Sequence, residues 1–429
     1  MARDGHAQLE TVPDERVGRA RDAVDAEGLV EAARALVRIP TSEGRETPAQ
    51  EEVARLMEAS GLVTDVWPID LDAVRAHPAC AWEIERAEAL GVVGVLEGSG
   101  EGPTLVLNGH VDVVPPGDER LWTHPPFEGV VEEGRLYGRG ALDMKGPLMA
   151  GLFAMRAVRA SGVPLAGRVL LHSVVGEEDG GLGTLATILR GHVGDAAIVM
   201  EPTDLAVAPV QAGCLNFRVR VPGLAAHGAV RDKGVSAFEK LFDLYRAIGA
   251  LETARNRDVG ADPLFERYAL PFPISIGTMR GGEWASSVPE HASMEGRLGV
   301  RPDESLDDAR AALEAAVAAA ADADPFLRER PPTVDWWGGR FLPARTDPGH
   351  PVVTALAGSV AEETGAPARL EGVPFGADAG LLEHVGGTAA VLFGAGDIRR
   401  AHRADEYVEV EALSRMARVL ASTIVRYCG

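Results

Sequence analysis

The stretch TLVLNGHVD, residues 104–112, is the segment from which we predict the fold and the site of the chain. Its apolar half predicts a short buried strand that ends by presenting His110 and Asp112. Side chains two apart on an extended chain point the same way. A neutral imidazole that binds a metal needs its other nitrogen held, and a carboxylate is the usual holder. We therefore predict that His110 is a ligand and Asp112 orients it. A solvated turn is the alternative.

Three further apolar strands are predicted to end in metal-competent side chains. Open α/β sheets place their sites at the carboxyl ends of such strands, so we expect the four ends to converge on one rim. The alternative for the acidic residues is a loop that faces solvent. The strands and the side chains that follow them are Arg168–Val175 with Glu177 and Glu178, Ala196–Met200 with Glu201, and Ala389–Phe393 with His402.

A glycine-rich turn makes Asp143 a further candidate ligand. The spacing Gly138-x-Gly140-x-x-Asp143 superficially resembles a dinucleotide loop, but the third glycine is missing and no βαβ unit frames the turn. Glycines here let the backbone turn tightly so that Asp143 points into a pocket before a helix over Leu148–Ala160. Stabilisation of that helix N-terminus is the other interpretation of Asp143.

The middle of the chain has a different pattern. Strands and helices alternate there in the order βαββαβ, which is the ferredoxin-like split arrangement. We therefore predict an α/β protein with two domains. Residues 1–212 and 341–429 form a catalytic metal-binding domain with a mixed sheet flanked by helices, and residues 213–340 form an inserted ferredoxin-like α+β domain.

Composition excludes several classes of partner. The formal net charge is −22, which makes nucleic acid an unsuitable partner and leaves no basic patch for a membrane surface. Cys80, Cys214 and Cys428 are odd in number and in no C-x-x-C spacing, so neither a disulfide framework nor a thiolate zinc site is expected. The first residues are charged and no long apolar run occurs, so we expect a cytoplasmic protein.

Six ordered motifs together resemble the M20 family of metallopeptidases and deacylases, most closely its acetylornithine deacetylase and succinyl-diaminopimelate desuccinylase group. The resemblance covers nearly the whole chain and implies a zinc-exopeptidase-like catalytic domain with an inserted dimerisation (lid) domain. The motifs are Gly109-His110-Val111-Asp112, Gly138-Arg139-Gly140 with Asp143-Met144-Lys145-Gly146, Gly176-Glu177-Glu178, Glu201-Pro202-Thr203, Ala226-His227-Gly228 and Ala401-His402.

The resemblance implies a site for two divalent metal ions. Asp143 would bridge ions about 3.5 to 4 Å apart. Glu178 and His402 would complete the shell of one ion, and His110 with Glu201 that of the other. Zinc is the expected metal, with cobalt or manganese as alternatives, since oxygen and imidazole ligands suit all three. Glutamate at position 201 agrees with the deacylase group, and the peptide bond after Asp143 is expected to be cis.

The same resemblance assigns two residues that act on the substrate. Glu177 would take the proton from the metal-bridging water and hand it to the leaving amine. His227, by itself readable as a turn histidine, would reach the active site of the partner subunit and donate to the oxyanion. The resemblance therefore implies a homodimer.

Substrate recognition departs from the family pattern. Ser286 stands where relatives commonly have asparagine, and Gly299 where they often place a carboxylate-binding arginine. Arg297 is a candidate substitute, with an exposed strand arginine as the alternative. Gly376-Ala377-Asp378 matches a substrate-side loop, but Gly380 stands where an arginine often follows.

We predict a metal-dependent amidohydrolase that removes an N-acyl group from an amino acid or related small amine. A dipeptidase or carboxypeptidase-like exopeptidase needs the same water and base and is the alternative. A catalytically silent, metal-stabilised binding module is the third reading, and the presence of Glu177 argues against it. Outside these motifs, His172 is predicted to be a core side chain with its hydrogen bonds satisfied.

Overall fold

The structure is a computed structural model that describes residues 14–257 and 262–429. These residues form two units. The first lies within Met1–Pro209, Arg345–Glu371 and Ala377–Gly429, and the second within Val210–Ala344 and Gly372–Gly376. Residues 1–13 of the predicted catalytic domain lie outside the described part of the chain. The domain limits drawn from the sequence, and the lid role of the inserted part, stay predictions.

The strands of the described residues follow the apolar segments of the sequence. They are β1 (Val63–Pro68), β2 (Leu90–Leu96), β3 (Thr104–His110), β4 (Val130–Glu132), β5 (Arg135–Tyr137), β6 (Arg168–Val174), β7 (Ala196–Val199), β8 (Val207–Gln211), β9 (Gly213–Pro222), β10 (Ala226–His227), β11 (Ile274–Gly281), β12 (Ser287–Val288), β13 (His291–Val300), β14 (Thr333–Phe341), β15 (Ala344–Arg345), β16 (Leu370–Val373), β17 (Ala389–Leu392) and β18 (Tyr407–Glu409).

The helices carry their apolar residues on one face or, when they lie in the core, all round. They are α1 (Asp14–Asp22), α2 (Ala26–Val37), α3 (Thr47–Ala59), α4 (Leu71–Arg75), α5 (Lys145–Ser161), α6 (Leu182–Leu189), α7 (Ala237–Arg257), α8 (Leu306–Ala323), α9 (Pro325–Glu329), α10 (Pro351–Thr364), α11 (Ala379–His384) and α12 (Val410–Cys428). None of the described helices is long and apolar enough to cross a lipid bilayer.

A mixed sheet organises the first unit, with the strand order β1-β2-β6-β3-β7-β17-β8. Strand β3 is parallel to β6 and β7, and β17 is parallel to β7, whereas β2 is antiparallel to β6. The parallel strands are buried on both faces, which explains their continuous apolar runs. Because these four strands run the same way, their carboxyl ends share one edge of the sheet, as predicted.

The second unit is an antiparallel sheet with the order β11-β13-β9-β14. Leu215, Phe217, Val219 and Val221 alternate along β9 with polar residues, and they form a core with the buried faces of α7 and α8. The chain order β9-α7-β11-β13-α8-β14 is the predicted ferredoxin-like arrangement. Ser305 caps α8, because its hydroxyl accepts a hydrogen bond from the Asp308 amide at 3.0 Å.

His172 differs from its predicted state. It lies on β6 opposite Val93 and Asn108, and it is fully buried. Neither of its ring nitrogens has a hydrogen-bond partner among the residues that the structure describes. The prediction of a hydrogen-bonded core histidine is therefore wrong. Burial, followed by the charge of the neighbouring His192, lowers the pKa of His172 to about 3.

This buried imidazole predicts a loss of stability in mild acid. The unfolded chain protonates His172 near its ordinary pKa of about 6.5, whereas the folded chain keeps it neutral down to about pH 3. The unfolded state thus binds more protons between these values, and stability falls as the pH decreases. His172→Leu should reduce the difference in unfolding free energy between about pH 7.5 and 5 by about 2 kcal/mol. Urea unfolding of both proteins at the two pH values measures this, and an unchanged difference would refute it.

Candidate metal centre

His110 ends strand β3 and is held from behind. Its Nδ1 lies 2.9 Å from the main-chain carbonyl of Asp112 and 3.7 Å from the Asp112 carboxylate. The Asp112 carboxylate instead accepts a hydrogen bond from the Glu178 amide at 3.0 Å. The predicted orienting residue is therefore in place, but the group nearest the imidazole is its carbonyl. A proton on Nδ1 leaves the Nε2 lone pair of His110 free to bind a cation.

Asp143 lies between the two predicted histidines. Its Oδ1 is 3.2 Å from His110 Nε2, and its Oδ2 is 3.4 Å from His402 Nε2. Helix α5 has no side-chain cap bond at its N-terminus, so the structure gives Asp143 no capping role. The Asp143–Met144 peptide bond is cis, as expected. Each carboxylate oxygen thus faces a different imidazole, which is the geometry of a bridging ligand.

The turn that carries Asp143 is supported by a residue that sequence reasoning missed. One oxygen of the buried Glu406 carboxylate accepts hydrogen bonds from the amides of Gly140, Leu142 and Asp143 at 2.9, 3.1 and 3.3 Å. The other oxygen pairs with the buried Arg139 at 2.5 Å. Glu406 follows Asp405 in a polar stretch, and nothing in that stretch signals burial.

The remaining predicted ligands converge on the same point. Glu178 Oε1 lies 3.1 Å from Nε2 of His402, whose side chain is half-exposed. Glu201 Oε1 and Glu177 Oε2 lie 3.8 and 3.9 Å from His110 Nε2. Two overlapping groups have ligand atoms within 4.8 Å of one another: His110 with Glu177 and Glu201, and His110 with Asp143 and Glu178.

The charges in this cluster show that it lacks compensating positive charge. Burial, then the charge of Glu201, raises the pKa of Glu177 well above its ordinary value, and burial with the charge of Asp143 does the same for Glu201. Burial would lower the pKa of His402, but the charge of Glu178 and contact with Asp143 raise it to about 11. Protons are retained because negative charge is in excess.

A divalent cation fits this donor set. Glu201 Oε1 is buried without a hydrogen-bond partner among the described residues. Within the described residues, no lysine or arginine forms an ion pair with Asp143, Glu177, Glu178 or Glu201. Buried carboxylates need compensation, and cations that displace protons from the cluster would provide it.

The second unit contains His227 and Ser286 as neighbours. His227 lies on β10, which pairs with β12, and the Gly228 amide donates to the Ser286 carbonyl at 2.7 Å. The exposed His227 ring accepts a hydrogen bond at Nδ1 from the Ala229 amide at 3.1 Å. A neutral imidazole held in this way carries its proton on Nε2, where it is a donor.

The predicted substrate residues have different surroundings. Arg297 Nη2 donates to the Pro374 carbonyl at 3.3 Å, and both belong to the second unit. Gly376 belongs there too, and a Cβ on it would lie 2.3 Å from Phe341. Asp378 belongs to the first unit, where it is buried and accepts a hydrogen bond from the Thr184 hydroxyl at 2.5 Å. The predicted loop is thus divided between the units.

Comparisons with known proteins find a matching family model and similar sequences. A family model described as Peptidase family M20/M25/M40 matches residues 106–426. The N-formyl-4-amino-5-aminomethyl-2-methylpyrimidine deformylase of Bacillus subtilis (strain 168) is 29% identical over 430 residues, spanning 94% of this chain and 95% of that enzyme. The acetylornithine deacetylase of Myxococcus xanthus is 32% identical over 358 residues, spanning 80% of this chain and 85% of that enzyme.

A solved structure has the same fold. The di-peptidase Dug1p from Saccharomyces cerevisiae superposes with a TM-score of 0.76 at 16% identity, covering 96% of this chain and 98% of that chain. At this level of identity the likeness concerns the fold.

The position of Asp143 between two imidazoles predicts a change in metal content. If Asp143 bridges two zinc ions, as the resemblance implies, Asp143→Asn should reduce the bound zinc from two ions per chain to one or fewer, because both imidazoles lose their shared carboxylate. Glu201→Gln should retain one ion. Asp378→Asn is the matched control, since this buried carboxylate belongs to neither ligand group, and it should retain two. Atomic absorption after dialysis measures the content, and two ions in Asp143→Asn would refute the bridging role.

Proposed function

The chain belongs to peptidase family M20/M25/M40 and is a metal-dependent deacylase or peptidase, and we propose that it removes a small N-acyl group from an amino acid or a related small amine. The observation that carries the proposal is the position of Glu177, whose carboxylate lies 3.9 Å from His110 Nε2 among the candidate ligands. A base at that point serves hydrolysis, and a purely structural metal site has no use for one.

The proposed ligands are those of the resemblance. Asp143 would be shared by two divalent ions, His110 and Glu201 would hold one of them, and Glu178 and His402 would hold the other. Such ions would polarise an amide carbonyl and lower the pKa of water. The distances of 3.1 to 3.8 Å between facing imidazole and carboxylate atoms support this assignment. Zinc is the proposed metal, and the ligand atoms are equally compatible with cobalt or manganese.

Glu177 and Asp112 have separate tasks in the proposed reaction. Glu177 takes a proton from the attacking water, whose oxygen joins the acyl carbon, and delivers the proton to the amine nitrogen as the C–N bond breaks. Asp112 holds His110 through its carbonyl and the Glu178 amide through its carboxylate. One residue thereby fixes the aim of a ligand from each of two loops.

His227 is proposed to stabilise the oxyanion. The Ala229 amide occupies its Nδ1, so the Nε2–H remains available for donation. Its exposure in the described chain agrees with an action on a partner subunit. Phe238, Phe242 and Tyr245 are exposed on one face of α7 and support a proposed homodimer.

The substrate side favours an amine without an α-carboxylate. A Cβ at Gly299 would lie 3.0 Å from the Pro273 carbonyl, so this position has little room for the arginine found in relatives. Arg297 is the alternative carboxylate binder, but its guanidinium already donates to the Pro374 carbonyl at 3.3 Å. The relative from B. subtilis is named for a formyl group on an aminomethyl pyrimidine. We therefore propose an N-formyl amine of that kind as the first substrate class, and N-acyl amino acids as the second.

Two alternatives remain distinguishable by experiment. An exopeptidase acting on dipeptides would use the same residues, and likeness to a di-peptidase in fold alone does not favour it. A silent binding module would hold metal without turnover. Cys80, Cys214 and Cys428 form no disulfide in the described chain, which suits the proposed cytoplasmic location.

Glu177→Gln should abolish turnover while metal binding persists. The amide side chain cannot accept the proton, so we expect kcat to fall by about 10²- to 10⁴-fold with the metal content unchanged. The measurement is amine release from N-formyl, N-acetyl and N-succinyl derivatives of an aminomethylpyrimidine and of amino acids, and from dipeptides. Glu178→Gln is the matched neighbour, and it should lose an ion as well as activity. Full turnover by Glu177→Gln would contradict the base, and a preference for dipeptides would establish the exopeptidase.

Mixed dimers test whether His227 acts on the partner subunit. Glu177→Gln and His227→Ala are each expected to be inactive alone. In a mixed dimer, the site of the His227→Ala subunit retains Glu177 and receives His227 from the Glu177→Gln subunit. Co-refolding the two inactive proteins should therefore restore about a quarter of the wild-type activity, assuming random pairing. If no activity returns although mixed dimers form, His227 does not act across subunits.

A further inference from the structure

A buried arginine lies directly beneath the loop that carries Glu177 and Glu178. Arg86 belongs to the irregular segment between α4 and β2. Its side chain is 1% exposed, as buried as that of the candidate ligand His110. We propose that Arg86 and Asp179 are positioning residues that fix the Glu177–Glu178 loop for metal binding and hydrolysis. This inference rests on the proposed roles of those two glutamates.

Asp179 is the point at which the loop is fixed. Its Oδ1 accepts from Arg86 Nη2 at 2.8 Å, and its Oδ2 accepts from Arg86 Nη1 at 3.0 Å. The same Oδ2 accepts from the amides of Glu83 and Ile84 at 2.9 and 2.8 Å. Four donors thus hold one carboxylate that immediately follows Glu178 in the chain, and a bidentate pair of this kind fixes direction as well as distance.

The loop itself is closed and lies against the Arg86 segment. The Gly181 amide donates to the Gly176 carbonyl at 2.7 Å. Gly180 has φ +131°, and a Cβ there would lie 2.5 Å from the Ala81 carbonyl. With the Glu178 amide bound to Asp112 at 3.0 Å, the loop is held on both sides.

Arg86 also joins the loop to helix α3. Its Nε and Nη2 donate to Oε1 of Glu46, the residue before α3, at 3.0 and 2.9 Å. Glu46 and Asp179 are 2% and 4% exposed, so a single guanidinium compensates two buried carboxylates. A lysine retains the charge but lacks the planar set of donors that serves both acids at once.

Positioning and simple electrostatics predict different results for Arg86→Lys. Lysine retains the positive charge of Arg86, so if charge alone mattered, this substitution would leave metal affinity unchanged. If Arg86 positions the loop, a lysine that cannot hold both acids displaces Glu177 and Glu178 and weakens binding. A misplacement of about 1 Å is enough to cost up to about 10²-fold in rate.

The test uses Arg86→Lys and Asp179→Asn in the full-length chain. Cobalt(II) alone is titrated into the metal-free proteins in competition with a chelator, and its visible absorption reports the ligand geometry. We expect each variant to bind cobalt at least about 10-fold more weakly, with an altered spectrum. We also expect kcat to fall at least about 10-fold while KM stays within about threefold.

Arg75→Lys is the matched control because it alters an exposed ion pair, with Glu85, in the adjoining part of the chain. It should leave cobalt affinity, spectrum and kcat unchanged. The inference would be overturned if Arg86→Lys and Asp179→Asn kept wild-type cobalt affinity and kcat and only melted at a lower temperature. The two residues would then have a structural role alone. Unchanged cobalt affinity in Arg86→Lys, with weaker binding only in Asp179→Asn, would overturn it in favour of charge.

The two proposals fail separately. If wild-type protein hydrolyses no amide, the proposed function fails, but cobalt affinity and spectrum still decide the positioning role. If Arg86→Lys does not fold, the cobalt spectrum and kcat of Asp179→Asn decide it. Asparagine retains an oxygen for the Glu83 and Ile84 amides and loses only the charge facing Arg86. An altered spectrum with a lower kcat reports displaced ligands, whereas a wild-type spectrum and kcat with weaker binding alone would overturn the positioning role.

Discussion

The first unit is built around a concentration of buried negative charge. Asp143, Glu177, Glu178 and Glu201 lie at one sheet edge within reach of two imidazoles, and none of them pairs with a lysine or arginine in the described chain. Carboxylates of this kind remain buried only with bound protons or cations. The parallel order of β6, β3, β7 and β17 is what brings their carriers together.

Two neighbouring buried acids, Glu406 and Asp179, follow the opposite rule, since each pairs with an arginine. Glu406 pairs with Arg139 and holds the Asp143 turn by its backbone amides, and Asp179 pairs with Arg86 beside the Glu177 loop. The chain thus separates carboxylates that are available to a cation from carboxylates already neutralised. A guanidinium among the candidate ligands would compete with the metal for their carboxylates. A guanidinium paired with the adjacent acids instead holds the loops that orient the candidate ligands.

Apolar strands followed by His110, Glu177, Glu178, Glu201 and His402 made the edge predictable, because buried parallel strands are continuous in sequence and deliver their next residues to one rim. Glu406, Arg86 and Asp179 could not be found in this way. Their partners are distant in the chain, and in the printed sequence they read as ordinary charged loop residues. The prediction that the His172 ring is hydrogen-bonded was wrong for a related reason. The sequence pattern around His172 indicates burial, but its hydrogen-bond partners depend on the neighbouring strands.

The proposed function assigns chemistry and selectivity to different parts of the chain. The proposed ligands are constrained by the cation that they would hold, so substitutions there are expected to remove the reaction. His227, Ser286, Arg297 and Gly376 belong to the second unit, where Gly299 and Ser286 depart from the family pattern. Such positions can change without altering any carboxylate at the metal edge. In a family that hydrolyses many amides with one type of site, substrate preference can therefore vary through residues of this unit. The departures of this chain from the family pattern bear on which amine it accepts.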